Sequence, residues 1–146
     1  MTERQFCWRI SNERFANLSG LGGKHAANRW NLIDNLIVYA AEHPALAAFE
    51  AIATRKYEGL DETIDDNVLL KIDISAVSNS LEIAPVFPRE NYTECQEYGT
   101  DWLQEQRTAL MKVASVRVPF SMNILINPLH PQAANLPFEV HPFSFF

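Results

Sequence analysis

A chain of 146 residues with 47% hydrophobic and 21% charged residues, and only 5 Gly, has the make-up of one folded domain. A disordered or fibrous polypeptide is excluded. Twelve Lys and Arg against 18 Asp and Glu give a net charge of −6. That balance disfavours nucleic acid and anionic membranes as partners, while leaving room for a local basic pocket.

Phe6 to Ile10 is short and apolar, and predicts a strand. Residues 11–34 carry few periodic apolar positions, and Ser19-Gly20-Leu21-Gly22-Gly23 predicts a loop. Leu36 to Tyr39 is β-branched and aromatic and predicts a buried strand. Pro44 opens an alanine-rich run, so a helix is expected over 44–56. Val68, Leu70, Ile72 and Ile74 alternate with Leu69, Lys71 and Asp73, the period of a half-buried strand. Residues 75–97, with Pro85 and Pro88, predict loops or edge strands. Thr100 or Asp101 is expected to cap a helix running to about Met111. Strands follow at Val113 to Val118 and Asn123 to Ile126, and the aromatic tail Phe138 to Phe146 is expected to pack on the body. Strands at both ends with helices between them predict an α+β fold: a single compact domain over 1–146, a mixed β-sheet core and flanking helices.

Two cysteines, Cys7 and Cys95, make no disulfide framework, and a reducing cytoplasm is the expected setting. The N-terminus lacks the apolar region of a secretory signal. No apolar run approaches the roughly 20 residues of a membrane span. His25, His43, His130 and His141 show no metal-ligand spacing, so no metal is expected. The glycine segment lacks the dinucleotide fingerprint.

Glu50 is the most informative residue. Every other position from Ala45 to Ala53 is apolar, and no basic residue stands three or four positions away. A carboxylate buried there needs a cation from elsewhere in the chain; the alternative is a narrow solvent stripe. Arg9, within Cys7-Trp8-Arg9-Ile10, and Arg29, before Trp30, are the candidate cations, since a planar guanidinium suits carboxylate or phosphate. The alternatives are an edge-strand arginine for Arg9 and a loop arginine stacked on Trp30 for Arg29. Tyr39 ends an apolar strand and is placed to face Glu50, or else to be a core tyrosine with a satisfied hydroxyl.

Several motifs occur in order: Trp8-Arg9-Ile10, Gly20-x-Gly22, Asn28-Arg29-Trp30-Asn31, and Val38-Tyr39-Ala40-Ala41-Glu42. Then come Pro44-Ala45-Leu46-Ala47-x-x-Glu50, Val118-Pro119-x-Ser121, and Asn123-x-Leu125-x-Asn127-Pro128-x-His130-Pro131. This set resembles the RES domain, the toxin half of bacterial Xre–RES toxin–antitoxin pairs, across nearly the whole chain. The resemblance implies an ADP-ribosyltransferase-like fold and an enzyme that destroys NAD at the nicotinamide–ribose bond. Water or phosphate would be the acceptor. It carries the family arginine onto Arg9 and the glutamate onto Glu50, with Arg29, Tyr39 and Trp30 at further pocket positions. Relatives place serine directly after Val-Pro. Here Phe120 takes that place, the segment is shorter, and Ser121 is assigned the role. The family's Phe-rich tail usually runs on to charged residues, whereas this sequence stops at Phe145-Phe146.

On this reading Glu50 stabilises an oxocarbenium-like ribose, Arg9 and Arg29 hold the pyrophosphate, Tyr39 lines the nicotinamide slot, and Ser121 bonds the ribose or carboxamide. Glu42 is the only other nearby carboxylate and is expected to be solvated, so a two-carboxylate mechanism is not expected. A cognate Xre-type antitoxin and NAD are the implied partners, with a homo-oligomer possible. Protein ADP-ribosylation and a non-catalytic binding module of the same fold are the competing readings.

Overall fold

The computed structural model describes residues 3–57 and 66–145, with the backbone alone for 55–57. The strands are β1 (Phe6–Asn12), β2 (Val38–Ala41), β3 (Asn67–Asp73), β4 (Leu81–Ile83), β5 (Leu110–Ala114), β6 (Met122–Ile126) and β7 (Phe138–Pro142). They form one sheet in the order β4-β5-β6-β2-β1-β3-β7. The β4–β5 pair is parallel and the other pairs are antiparallel. The helices are α1 (Gly22–His25), α2 (Pro44–Tyr57) and α3 (Tyr92–Glu105). A mixed sheet with few helices is the α+β architecture that the strand pattern predicts.

Strand alternation sorts the side chains onto two faces. On one face Cys7, Val38, Ala40, Leu70, Ile72, Leu110, Ile124 and Ile126 form a buried cluster closed by Ile74, Val77, Ala133 and Leu136. Full burial of each large aliphatic side chain contributes about 1.5–3 kcal/mol over leaving it exposed. On the other face the registers Trp8↔Ala41, Tyr39↔Leu125, Ala41↔Asn123 and Val113↔Asn123 bring a second set together. Helix α2 covers one part of this face through Leu46 and Ala47, against Ala41, Trp8 and Ile10. Helix α3 covers another through Cys95, Trp102 and Leu103, against Trp30, Met111, Val113 and Leu125.

Several predicted boundaries move, each for a local reason. The helix expected from Thr100 to Met111 starts at Tyr92 instead and ends at Glu105, where Gln106 turns left-handed at φ 50°. Thr100 caps nothing. It is buried in the helix, and its Oγ1 accepts the Leu32 N–H at 2.9 Å. The strand expected to run to Val118 stops at Ala114, because the Ser115 hydroxyl accepts the backbone N–H groups of Arg117 and Val118 and bends the chain. Strand β2 lies two residues later than predicted, and the segment 75–97 contains β4 and the first turns of α3. The tail packs on the body as expected, but through sheet pairing rather than as core. Residues Phe138 to Pro142 add an edge strand to β3 with their side chains exposed, and Phe146 lies outside the described residues.

Two His-Pro sequences act as backbone caps. His43 Nδ1 accepts the Ala45 N–H at the start of α2, and His130 Nδ1 accepts the Gln132 N–H at a 3-10 turn, each at 3.1 Å. Both cysteines are free and buried, and burial pushes the Cys7 thiol up to about 12. Edge strand β4 is tied to α3 by Glu82, which accepts from Arg107 Nε and Nη2 at 3.0 Å each and from the Tyr98 hydroxyl. Burial raises the Glu82 carboxyl, but the bonds from Arg107 and Tyr98 outweigh it and hold it below the usual range.

A Cβ at Gly99 would stand 1.9 Å from the Trp30 carbonyl oxygen, so α3 packs directly on the backbone of the Arg29-Trp30 loop. Gly99→Ala is expected to cost about 1–3 kcal/mol in urea unfolding, through overpacking at that contact. Because the folded carboxyl of Glu82 is depressed, its contribution is complete above the unfolded glutamate value near ~4.3 and is lost as pH falls through the folded value. Glu82→Gln should therefore flatten the acid limb of the stability profile, measured by denaturation at stepped pH.

Candidate functional site

Between the α2 and α3 contacts, the sheet face opens into a cavity of about 940 Å³. Its wall includes Arg9, Arg29, Trp30, Tyr39 and Glu50, five of the six residues singled out from sequence. Ser121 is not in that wall. Its carbonyl accepts the Ser115 N–H at 2.9 Å, closing the loop between β5 and β6.

Glu50 faces inward although its helix is apolar. Phe49 and Ile52 point outward instead, 51% and 42% exposed. The solvent-stripe alternative for Glu50 therefore fails. The cation it meets is neither Arg9 nor Arg29. Arg117 Nη1 donates to Glu50 Oε2 at 2.7 Å, and the Ser115 hydroxyl donates to Oε1 at 2.7 Å. Asn123 Nδ2 reaches Oε1 at 3.5 Å. All three donors come from β6 or from the turn that ends β5.

Sequence reasoning missed Ser115, which holds Glu50, and the wall residues Arg89, Arg117 and Asn123. One signal was present for Ser115. It follows Val113-Ala114, one substitution away from the Val-Pro that precedes the serine in the family pattern. Arg117 sits between two valines, Val116 and Val118, and reads as part of a strand.

Arg9 lies where the sheet is thinnest. Pairing of β1 with β2 narrows to Trp8↔Ala41, and Arg9 Nη1 reaches across to the Tyr39 carbonyl at 3.2 Å. Its Nε is buried and has no acceptor among the described residues. Burial lowers the Arg9 pKa, an indication of how little water reaches the group. An arginine remains charged at any working pH, so Arg9 brings a positive charge to the cavity wall.

Arg29 donates from Nη2 to the Arg89 carbonyl at 3.2 Å and lies 5.1 Å from the Tyr92 ring centroid. It stacks on Tyr92 rather than on Trp30. The Trp30 ring packs against Phe87 and Tyr98, with centroids 6.1 and 6.4 Å away.

Tyr39 has a satisfied hydroxyl and also lines the cavity. It donates to Asn31 Oδ1 at 2.6 Å and accepts the Trp30 N–H at 3.1 Å. Burial raises its pKa, so the hydroxyl stays protonated. Asn31, fully buried, spends its amide on the carbonyls of Gly23, Ala26 and Leu32. The glycine segment and the Arg29-Trp30 loop are thus fastened to β2 through one asparagine. Glu42 is exposed and accepts the Met122 N–H at 3.0 Å.

Four of the chain's twelve Lys and Arg residues wall this one cavity, with Glu50 facing them. Such a wall suits an anionic ligand, and the carboxylate suits hydroxyls or a developing positive charge. Among the described residues no group of His, Cys, Asp and Glu is arranged to hold a metal ion. Among them, too, no helix is long and apolar enough to cross a membrane.

The class defined by this fold and cavity is an α+β protein whose cavity wall carries four arginines and a carboxylate. The chain matches the RES domain over residues 6–146 and belongs to that family. It is 34% identical to the Prs ADP-ribosylating toxin of a Sphingobium species, over 88% of this chain and 86% of that protein. It is 29% identical to Toxin Res of Pseudomonas putida, over 94% of both. Its fold is similar to that in the crystal structure of the M. tuberculosis MbcT–MbcA toxin–antitoxin complex. The TM-score is 0.72 at 13% identity, covering 97% of this chain and 84% of that one.

Tyr39→Phe strips partners from Asn31 Oδ1 and the Trp30 N–H, and is expected to cost about 1–3 kcal/mol in denaturant unfolding. Combined with Asn31→Ala, the loss should fall short of the sum of the two single losses, since both break one network.

Proposed function

We propose that this chain, acting as one domain, is the toxin of a toxin–antitoxin pair, and that it consumes NAD by breaking the nicotinamide–ribose bond. The observation that carries the reading is the inward Glu50 carboxylate, fixed by Ser115 and Arg117, in one cavity with Arg9, Arg29, Trp30 and Tyr39. The family and the names of the relatives agree with it.

In NAD the nicotinamide is a cationic leaving group. When the C–N bond breaks, its electron pair leaves with nicotinamide, which departs neutral. The ribose carbon becomes oxocarbenium-like and electron-poor. Glu50 faces that charge or aligns the ribose hydroxyls. Water adds at the same carbon, releases a proton and yields ADP-ribose. If phosphate adds instead, the product is an ADP-ribose phosphate ester. No strong general acid is required, which suits a site with one carboxylate among its described residues.

Arg9 and Arg29 hold the pyrophosphate by charge-assisted hydrogen bonds. Trp30 and Tyr39 line the aromatic end. Ser115, rather than Ser121, is the serine that serves the site, and it does so by holding Glu50 Oε1 rather than by bonding the ligand. A cognate antitoxin of the Xre type is the proposed partner and the cytoplasm the proposed setting. Support for a partner comes from relatives named as toxins and from a structural neighbour solved as a toxin–antitoxin complex.

A second reading, transfer of ADP-ribose to a protein, is favoured by the name of the Sphingobium relative, an ADP-ribosylating toxin. Label from the adenosine half of NAD would then appear on a macromolecule rather than on a free sugar nucleotide.

Mixing the protein with NAD should release nicotinamide, and Glu50→Gln should lower the rate about a hundredfold or more, as for loss of one preorganised electrostatic contact. Unchanged activity in Glu50→Gln, with circular dichroism reporting an intact fold, would overturn the assignment.

A further inference from the structure

Both oxygens of Glu50 are already in use. Ser115 Oγ donates to Oε1 and Arg117 Nη1 to Oε2, each at 2.7 Å. The serine cannot readily turn elsewhere. Its one proton goes to Glu50, and its oxygen accepts the N–H groups of Val118 at 3.1 Å and Arg117 at 3.3 Å. Its backbone N–H is held by the Ser121 carbonyl. Arg117 is different. Its side chain is 29% exposed, lines the cavity, and rests on a long flexible stem whose guanidinium suits a phosphate as well as a carboxylate.

A carboxylate in contact with a guanidinium is a poor partner for a developing positive charge, because the two cations compete for it. Substrate bearing a pyrophosphate brings a stronger competitor for Arg117 into the same cavity. We propose that Arg117 is a latch on Glu50: it holds the carboxylate until a phosphate-bearing ligand enters, then exchanges the carboxylate for a phosphate oxygen, freeing Oε2 for the ribose. Arg117 is thus a positioning residue, and it makes use of Glu50 conditional on the charged half of the ligand. The latch rests on the reading of Glu50 as the reactive carboxylate.

Two measurements test it, one of them independent of NAD cleavage. First, inorganic pyrophosphate binding is measured by calorimetry in wild type, Glu50→Gln, Arg117→Met and the double variant. Glu50→Gln should tighten binding about tenfold by releasing Arg117, and that gain should vanish when Arg117 is Met. An equal gain in both backgrounds would overturn the latch, since a general charge effect does not need Arg117.

Second, nicotinamide release is compared for NAD and for nicotinamide riboside, which has no phosphate. Arg117→Met should lose about ten- to a hundredfold on NAD while keeping or gaining rate on the riboside, and Arg117→Lys should recover part of the loss on NAD. Equal losses on both substrates would also overturn the latch, as they would report a merely structural arginine. If wild type releases no nicotinamide from either substrate, the proposed function fails, and the pyrophosphate cycle still decides whether Arg117 is exchanged.

Discussion

A carboxylate turned inward from an otherwise apolar helix dictates much of what surrounds it. Glu50 cannot sit beneath α2 without donors, and α2 itself supplies no cation at helical spacing. The donors come from the turn that ends β5 and from β6, which pairs with β5 on one side and β2 on the other. The turn after Ala114 is therefore more than a connection. One serine hydroxyl stops the strand, shapes the loop and fixes the acid. The helix, the strand end and the site are specified together.

The second organising element is the segment from Gly20 to Asn31, which holds almost no regular structure and yet presents Arg29 and Trp30 to the cavity. It is placed by polar contacts rather than by apolar area. Asn31 gathers three carbonyls and the Tyr39 hydroxyl, Thr100 takes the Leu32 N–H, and the backbone at Trp30 lies against a glycine of α3. Buried polar groups of this kind bring a long loop to a fixed position because leaving any one of them unsatisfied is costly.

Much of the fold could be read from the residues. Pro44 with the alanine run marked α2, and the alternation from Val68 to Ile74 marked both β3 and its buried face. Where the reading failed, a side chain was doing a tertiary task that local pattern cannot show. Thr100 looked like a helix cap and is a clamp on a loop sixty-eight residues upstream. Arg117 looked like part of a valine strand and is the counter-ion of Glu50. The wall residues Arg9, Arg29, Trp30, Tyr39 and Glu50 were legible because an arginine among aromatics, or an acid among alanines, violates local expectation. Ser115 was hidden by its single departure from the Val-Pro-Ser pattern, with a second serine nearby at Ser121.

The clustering of four arginines around one cavity leaves the rest of the molecule more acidic than its net charge of −6 suggests. Counter-ions screen that acidic exterior over a Debye length of about 8 Å, so an anion feels the cavity's arginines only once it is close to them.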